Sequence, residues 1–505
     1  MDLFAPLLSA IPAVLTFPNL LAMIGGVLAG IIVGALPGLT ATMSIAVLLP
    51  LTFTMDPLVA LGMMAGIYNG AMYGGAIPAI LLRIPGTPAA IVTTFDGYPL
   101  AQQGKAGYAL QIALLSSAFG GMASAVAMML VAPPLSLVTL SFGPPEVFWV
   151  GVFGMAAVSV FLGEDLPKGF LAALMGLFIG MIGLDPVMST DRFTFGQLEL
   201  ESGIDIVVLM VGLYAIPPCL EMAEETLLKA KHGQKLKFSP FLETIRETPK
   251  FFKVWSWAYL YGIIIGLLPG ASGSFVSFLA YERAKKISKS PETFGKGNPE
   301  GIAASEFGNN ADNAAALIPT VTLGIPGSSV AAVIMGGLLV HGLQPGPDLF
   351  RNSADIIYGF MIQMFLTSLI LIPLGGSFAT NLFAQVLRIP RAMLVGLILC
   401  LSIVGAYCVQ NSIFDVWLMF GFGLLGYVMS KTGLPLAPVA LGVILGPLIE
   451  SNLRLSLLLD VRGEYILFTR PICMVLIALL IITTVLPPIW KQIVLRREKQ
   501  MMNKQ

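Results

Sequence analysis

Two helix-breaking motifs each occur twice in this chain, and small polar residues follow every copy. Ile32-Val-Gly-Ala-Leu-Pro-Gly38 returns as Ile264-Ile-Gly-Leu-Leu-Pro-Gly270 at an offset of 232 residues. Pro78-Ala-Ile-Leu-Leu-Arg-Ile-Pro-Gly-Thr-Pro88 returns as Pro319-Thr-Val-Thr-Leu-Gly-Ile-Pro-Gly-Ser-Ser329 at an offset of 241, which also pairs Asn69 with Asn310. Proline has no N–H and disfavours helix in the residue before it, and glycine tolerates positive φ, so a helix running into Pro-Gly stops there. The helix that starts next offers free N–H groups and the positive end of its dipole, an arrangement suited to a carboxylate. Candidate substrate contacts are therefore Pro37, Gly38, Thr40 and Thr42 at the first break and Pro269, Gly270, Ser272 and Ser274 at its copy. The second motif adds Gly86 and Thr87, then Gly327 and Ser328, with Asn69 beside them.

A further cluster, Glu306-Phe-Gly-Asn-Asn-Ala-Asp-Asn313, carries chemistry of another kind. Acidic and amide groups at membrane depth are costly unless they bind something. Asn309, Asn310, Asp312 and Asn313 offer hard oxygen ligands, and no Lys or Arg lies between Lys296 and Arg351 to neutralise Asp312. The expectation is a site for the coupling ion, Na⁺ or H⁺, with Na⁺ better suited to the neutral amide oxygens. The bland alternative is an interfacial loop whose Asx residues cap a helix. His232 and His341 lack a paired ligand pattern, and Cys219, Cys400, Cys408 and Cys473 lie at wide spacing in or beside apolar runs, which suits neither a disulfide framework nor a metal site. No other cofactor is expected.

The elements that must position these residues are membrane helices. Of 505 residues, 56% are hydrophobic and only 11% charged, too few polar residues to cover a soluble domain. Runs such as Leu20 to Val33, Tyr108 to Val131, Ile356 to Leu374 and Ile472 to Val485 are continuously apolar rather than alternating. They indicate an all-α polytopic bundle of roughly ten to fourteen membrane segments, not a barrel. The motif copies divide the bundle into two repeats, with 1–220 as the first half, 221–253 as a basic linker, 254–490 as the second half and 491–505 as a basic tail. The two offsets differ by nine residues, matched by the insertion around Lys285 to Asn298. No cationic region precedes the first apolar run, so the N-terminus is expected to stay as a membrane or interfacial segment.

Charge sets the expected orientation. Lys229, Lys231, Lys235, Lys237, Arg246, Lys250 and Lys253 in the linker, and Lys491, Arg496, Arg497, Lys499 and Lys504 in the tail, put both in the cytoplasm. The 185–205 stretch, with Asp185, Asp191, Glu199, Glu201 and Asp205 against Arg192, should face outward. Basic residues flank both ends of Val254 to Ala280, a stretch too short for two crossings with Leu-Pro-Gly in its middle, which reads as a re-entrant hairpin. Lys+Arg and Asp+Glu both total 28, giving no excess for nucleic acid.

The paired Gly-x-Leu-Pro-Gly blocks, Ile84-Pro-Gly86, Ile325-Pro-Gly327 and Asn309-Asn-Ala-Asp312 together resemble the large membrane subunit of the tripartite tricarboxylate transporters, over about Leu20 to Pro487. The resemblance implies a multi-pass carrier for carboxylates in the bacterial inner membrane, coupled to a cation gradient. It further implies a small membrane subunit and a periplasmic solute-binding protein as partners. No GxxxxGK[ST] motif suggests ATP use, and no catalytic triad or acid/base pair suggests an enzyme. The competing reading is a channel or scaffold subunit without active coupling.

Overall fold

The computed structural model describes residues 5–36, 39–139, 142–162, 166–185, 190–224, 241–268, 273–376, 391–459 and 465–484. They are almost entirely helical, with one pair of two-residue strands, Gly183–Leu184 and Asp191–Arg192. Among the described residues, five helices are long and apolar enough to cross a membrane: Phe17–Gly34, Thr93–Thr139, Ala354–Leu374, Ile413–Thr432 and Leu436–Leu459. Several other apolar stretches are cut into pieces too short to cross alone. Ala41–Leu48, with 8 residues, spans only about 12 Å.

The chain forms two compact units, Met1–Thr139 with Asp205–Lys431, and Leu140–Ile204 with Thr432–Gln505. Each draws on both halves of the sequence. In the smaller unit Leu436–Leu459 packs on Pro144–Leu162 and Leu166–Gly180. A methyl added at Gly442 would stand 2.6 Å from the Ala173 carbonyl oxygen, so these helices touch backbone to backbone. Within this unit the first carboxylate of the acidic 185–205 stretch, Asp185, is paired. Arg454 donates to both oxygens of Asp185 at 3.1 and 2.9 Å, and Arg192 donates to Glu450 at 2.8 Å.

In the larger unit, Phe17–Gly34 and Pro57–Gly74 lie side by side and parallel through two glycine rows. A methyl at Gly26, Gly30 or Gly34 would fall 2.3 to 2.4 Å from the carbonyl oxygens of Met63, Ile67 and Ala71. One at Gly70 would fall 2.4 Å from that of Val27, so only glycine permits this approach. The second half repeats the parallel pairing with alanines as neighbours. Methyls at Gly262 and Gly266 in Phe252–Gly266 would meet Ala311 and Ala315 at 2.5 and 2.6 Å.

These two pairs enter the bundle from opposite ends. Gln103 Nε2 donates to the Lys296 carbonyl at 2.8 Å, which puts the start of helix Ala106–Thr139 beside the start of Pro299–Ala311. Ala354–Leu374 runs against Ala106–Thr139, with Gly121 against Ser368 and Leu114 against Gly375. Gln363 at its middle donates to the Leu58 carbonyl at 2.8 Å, and a methyl at Gly359, nearer its start, would meet the Leu58 side chain at 2.6 Å. Pro57–Gly74 therefore begins at the end remote from Lys296, whereas Pro299–Ala311 begins beside it.

The Val254 to Ala280 stretch folds back on itself as two helices, Phe252–Gly266 and Gly273–Ile287. The Arg283 guanidinium sits 3.9 Å from the Trp257 ring centroid, and Lys253 Nζ lies 3.4 Å from the Ile287 carbonyl oxygen. Both ends of the stretch thus come together. Residues 225–240 of the basic linker and 485–505 of the tail lie outside the described residues. The end of the linker docks on Ala106–Thr139, where Thr244 donates to Gln111 at 2.5 Å and Tyr108 to Glu247 at 2.5 Å. Lys250, 2.7 Å from the Glu247 carboxylate, holds that group below its ordinary range.

Candidate functional site

The Glu306 to Asn313 cluster belongs to a buried helix end, not to an interfacial loop. Asn298 caps Pro299–Ala311 by accepting from the Glu300 N–H at 2.8 Å, with Pro299 in the first turn where its missing N–H is harmless. Along this helix Glu306, Asn309, Asn310, Asp312 and Asn313 are each at most 2% exposed. A glycine-free wall would not admit the neighbours that face them. Methyls at Gly266 and Gly273 would stand 2.8 Å from Asp312 Oδ1 and 3.0 Å from Asn309 Oδ1. The two helices flanking the second Leu-Pro-Gly break thus end against these two side chains.

The amides divide into a bonded set and an open set. Asn313 Nδ2 donates to Asn69 Oδ1 at 3.1 Å and to Asn310 Oδ1 at 3.2 Å, and Asn69 Nδ2 donates to Thr367 at 2.9 Å and to the Met364 carbonyl at 3.2 Å. Asn69 and Asn310, equivalent by the sequence offset, are thereby held by one shared partner. Asn309 Oδ1 and Nδ2, Asp312 Oδ1 and Asn313 Oδ1 are buried with no hydrogen-bond partner among the described residues. Buried polar atoms are rarely left this way, and three such oxygens on one helix end are the chemistry of a cation site.

The polar residues of the other breaks gather in the same unit. Thr42 and Ser329 hydroxyls are 3.0 Å apart, joining the first Leu-Pro-Gly region to the second Ile-Pro-Gly region. Tyr68 of Pro57–Gly74 stands beside Ser328, with Asp312 close to it. Thr40 and Ser328 cap their own helices, accepting from the Met43 and Ala331 N–H groups at 3.2 and 3.1 Å. Those caps occupy part of the donor set that the sequence offers to a carboxylate. Thr87 is buried, its hydroxyl without a hydrogen-bond partner among the described residues, and Ser274 is half-buried. At Gly86 a methyl would sit 2.6 Å from the Gly34 carbonyl oxygen, and at Gly327 2.4 Å from that of Ala316, so the chain presses on neighbouring backbone at both copies. Pro37, Gly38, Pro269, Gly270 and Ser272 lie outside the described residues.

Sequence reasoning named Glu306 within the cluster but assigned it no role, and missed its partners. Its carboxylate, fully buried, accepts from the hydroxyls of Thr93 and of Ser117, the latter at 3.0 Å, and Thr93 meets Ser305 at 3.1 Å. Among the described residues no ion pair reaches Glu306 or Asp312. The available signal was spacing: Glu306, Asn310 and Asn313 follow helical periodicity and share a face. Asp96, also missed, accepts from the Gly297 and Asn298 N–H groups at 2.8 and 2.7 Å and from the Tyr281 hydroxyl at 2.8 Å. It closes the Lys296 end of the unit.

Comparison with known proteins adds a family. The model of the tripartite tricarboxylate transporter TctA family matches residues 20–441. A similar protein of Agrobacterium vitis, described as an uncharacterized 52.8 kDa protein in the TAR-I ttuC' 3'region, is 37% identical over 489 residues, 95% of either chain. An uncharacterized protein in the TAR-II ttuC' 3'region of Agrobacterium vitis is 36% identical over 226 residues, which are 45% of this chain and 93% of that one. No solved structure matches.

Proposed function

The chain belongs to the tripartite tricarboxylate transporter TctA family, and from that premise we propose that it is a secondary carrier importing carboxylates, citrate or a related tri- or dicarboxylate, by alternating access coupled to a cation gradient. It is a multi-pass membrane protein and a transporter subunit, not a member of an enzyme family. In the proposal it resides in the bacterial inner membrane with its C-terminus in the cytoplasm. A small membrane subunit stands beside it, and a periplasmic solute-binding protein delivers the substrate.

The observation that carries the reading is the convergence, in one unit, of broken helices on buried unpartnered oxygens. Non-helical backbone at membrane depth is tolerated where it lines a cavity, and paired breaks in two repeats mark a carrier's binding region. Matching helices that enter from opposite ends support inverted repeats, and the folded-back Phe252–Ile287 segment supports a re-entrant hairpin. Thr42, Thr87, Ser274, Ser328 and the backbone of the breaks hold the carboxylate. Asp312, with Asn309 and Asn313, holds Na⁺ as the coupling ion, and Asn69 and Asn310 keep that helix end in position. Counterflow of labelled citrate, malate and succinate in proteoliposomes of the reconstituted system tests this. A carrier exchanges external label against internal substrate. Leak without counterflow identifies a channel, and chemical conversion an enzyme.

A further inference from the structure

Arg83 occupies a backbone conformation that its counterpart fills with glycine. It ends the helix Ala76–Leu82 at φ 61° and ψ 23°, and Gly324 ends Leu317–Leu323 at φ 71° and ψ 20°. Both close the same bond, from the Ile84 N–H to the Pro78 carbonyl and from the Ile325 N–H to the Pro319 carbonyl, each at 3.3 Å. Left-handed geometry costs every L-residue with a Cβ relative to glycine, so the fold itself favours glycine at this place. An arginine kept there against that preference points to a use for its side chain.

The side chain is exposed, and among the described residues no carboxylate pairs with it; the guanidinium carbon lies 5.8 Å from the Tyr98 ring centroid. Arg83 is the sole Lys or Arg in residues 1–104, and it directly precedes Ile84-Pro-Gly86, the break whose Thr87 hydroxyl is buried and without a partner among the described residues. A substrate with two or three carboxylates approaching a region that already buries Glu306 and Asp312 needs a compensating cation. Resting on the carboxylate-carrier reading above, we propose that Arg83 is a carboxylate-recognition residue at the Lys296 end of the pathway. Its planar fork engages the substrate carboxylates as they pass the Ile-Pro-Gly break and so sets the preference for multiply charged substrates.

The test exchanges Arg83 for the residue its counterpart already uses. Arg83→Gly removes the left-handed strain, so the thermal midpoint should equal or exceed that of the unsubstituted protein. Counterflow is then measured in the reconstituted system with citrate, malate and succinate, varying substrate on each side of the bilayer in turn. KM should rise about ten- to a hundredfold on one side only, the loss of a charged bidentate contact, and more for citrate than for succinate, with kcat little changed. Arg83→Lys should recover most of the loss for succinate and less for citrate. If Arg83→Gly keeps KM for all three substrates within about twofold on both sides, the inference is wrong while the carrier reading stands. Absence of counterflow with all three in the unsubstituted system overturns both.

Discussion

Asp312→Asn separates the charge of the proposed cation site from its shape. The substitution keeps one oxygen, puts an NH2 group in place of the other and removes the negative charge from a side chain 2% exposed, whose Oδ1 has no hydrogen-bond partner among the described residues. Leaving one member of a buried charge pair unpaired costs about 3–5 kcal/mol. Na⁺ affinity should therefore fall by about two to four orders of magnitude, at about 1.4 kcal/mol per decade. The assay is thermal unfolding of the purified protein across an NaCl series, with choline chloride holding ionic strength constant. The unsubstituted protein should be stabilised by about 2.7 kcal/mol when Na⁺ reaches a hundred times its Kd, and the Asn variant by no more than about 0.4 kcal/mol over the same range. Without Na⁺ the order should reverse, because the variant no longer buries an unpaired carboxylate. In transport, gradient-driven accumulation should be lost while substrate exchange survives. A variant that keeps the Na⁺ shift with its half-maximal concentration moved by less than about threefold refutes the assignment of Asp312 as the charged ligand.

Gly30→Ala should destabilise the larger unit by about 1–3 kcal/mol, since its methyl would meet the Ile67 carbonyl oxygen at 2.4 Å, while Gly25→Ala, with nothing within 4 Å, should be neutral or slightly stabilising; denaturant unfolding compares the two. Gly86→Ala and Gly327→Ala should each slow counterflow without removing the protein from the membrane, because each methyl presses on backbone at 2.4 to 2.6 Å beside a break; normal rates for both would make the breaks simple kinks. Asp96→Ala strands two N–H groups and the Tyr281 hydroxyl, and should cost about 3–5 kcal/mol, with Asp96→Asn milder; hydrogen exchange at Gly297 and Asn298 reads the loss directly.

What the sequence discloses and what it conceals divide along physical lines. Pro-Gly pairs are local signals, so the places where Phe17–Gly34, Ala76–Leu82, Phe252–Gly266 and Leu317–Leu323 stop were legible from residue types alone. The fold-back of 252–287 was legible from charge at both ends, because a stretch of that length has few ways to keep two basic flanks together. Pairing over long separations was not. Nothing in the composition of Thr93 or Ser117 says that their hydroxyls meet Glu306, because hydroxyls in apolar helices ordinarily bond to their own backbone. Nor does the acidic run at 185–205 announce Arg454 as the partner of its Asp185, 269 positions away. The Asn69 and Asn310 equivalence lies between these cases: an offset of 241 marks them as a pair, yet only packing brings in Asn313, which has no asparagine at its own offset, as the group that bonds to both. On the proposed duplication, the residues that differ between the copies, Asp312 against Ala71 and Arg83 against Gly324, are where the two proposed sites give one half a chemistry that the other lacks.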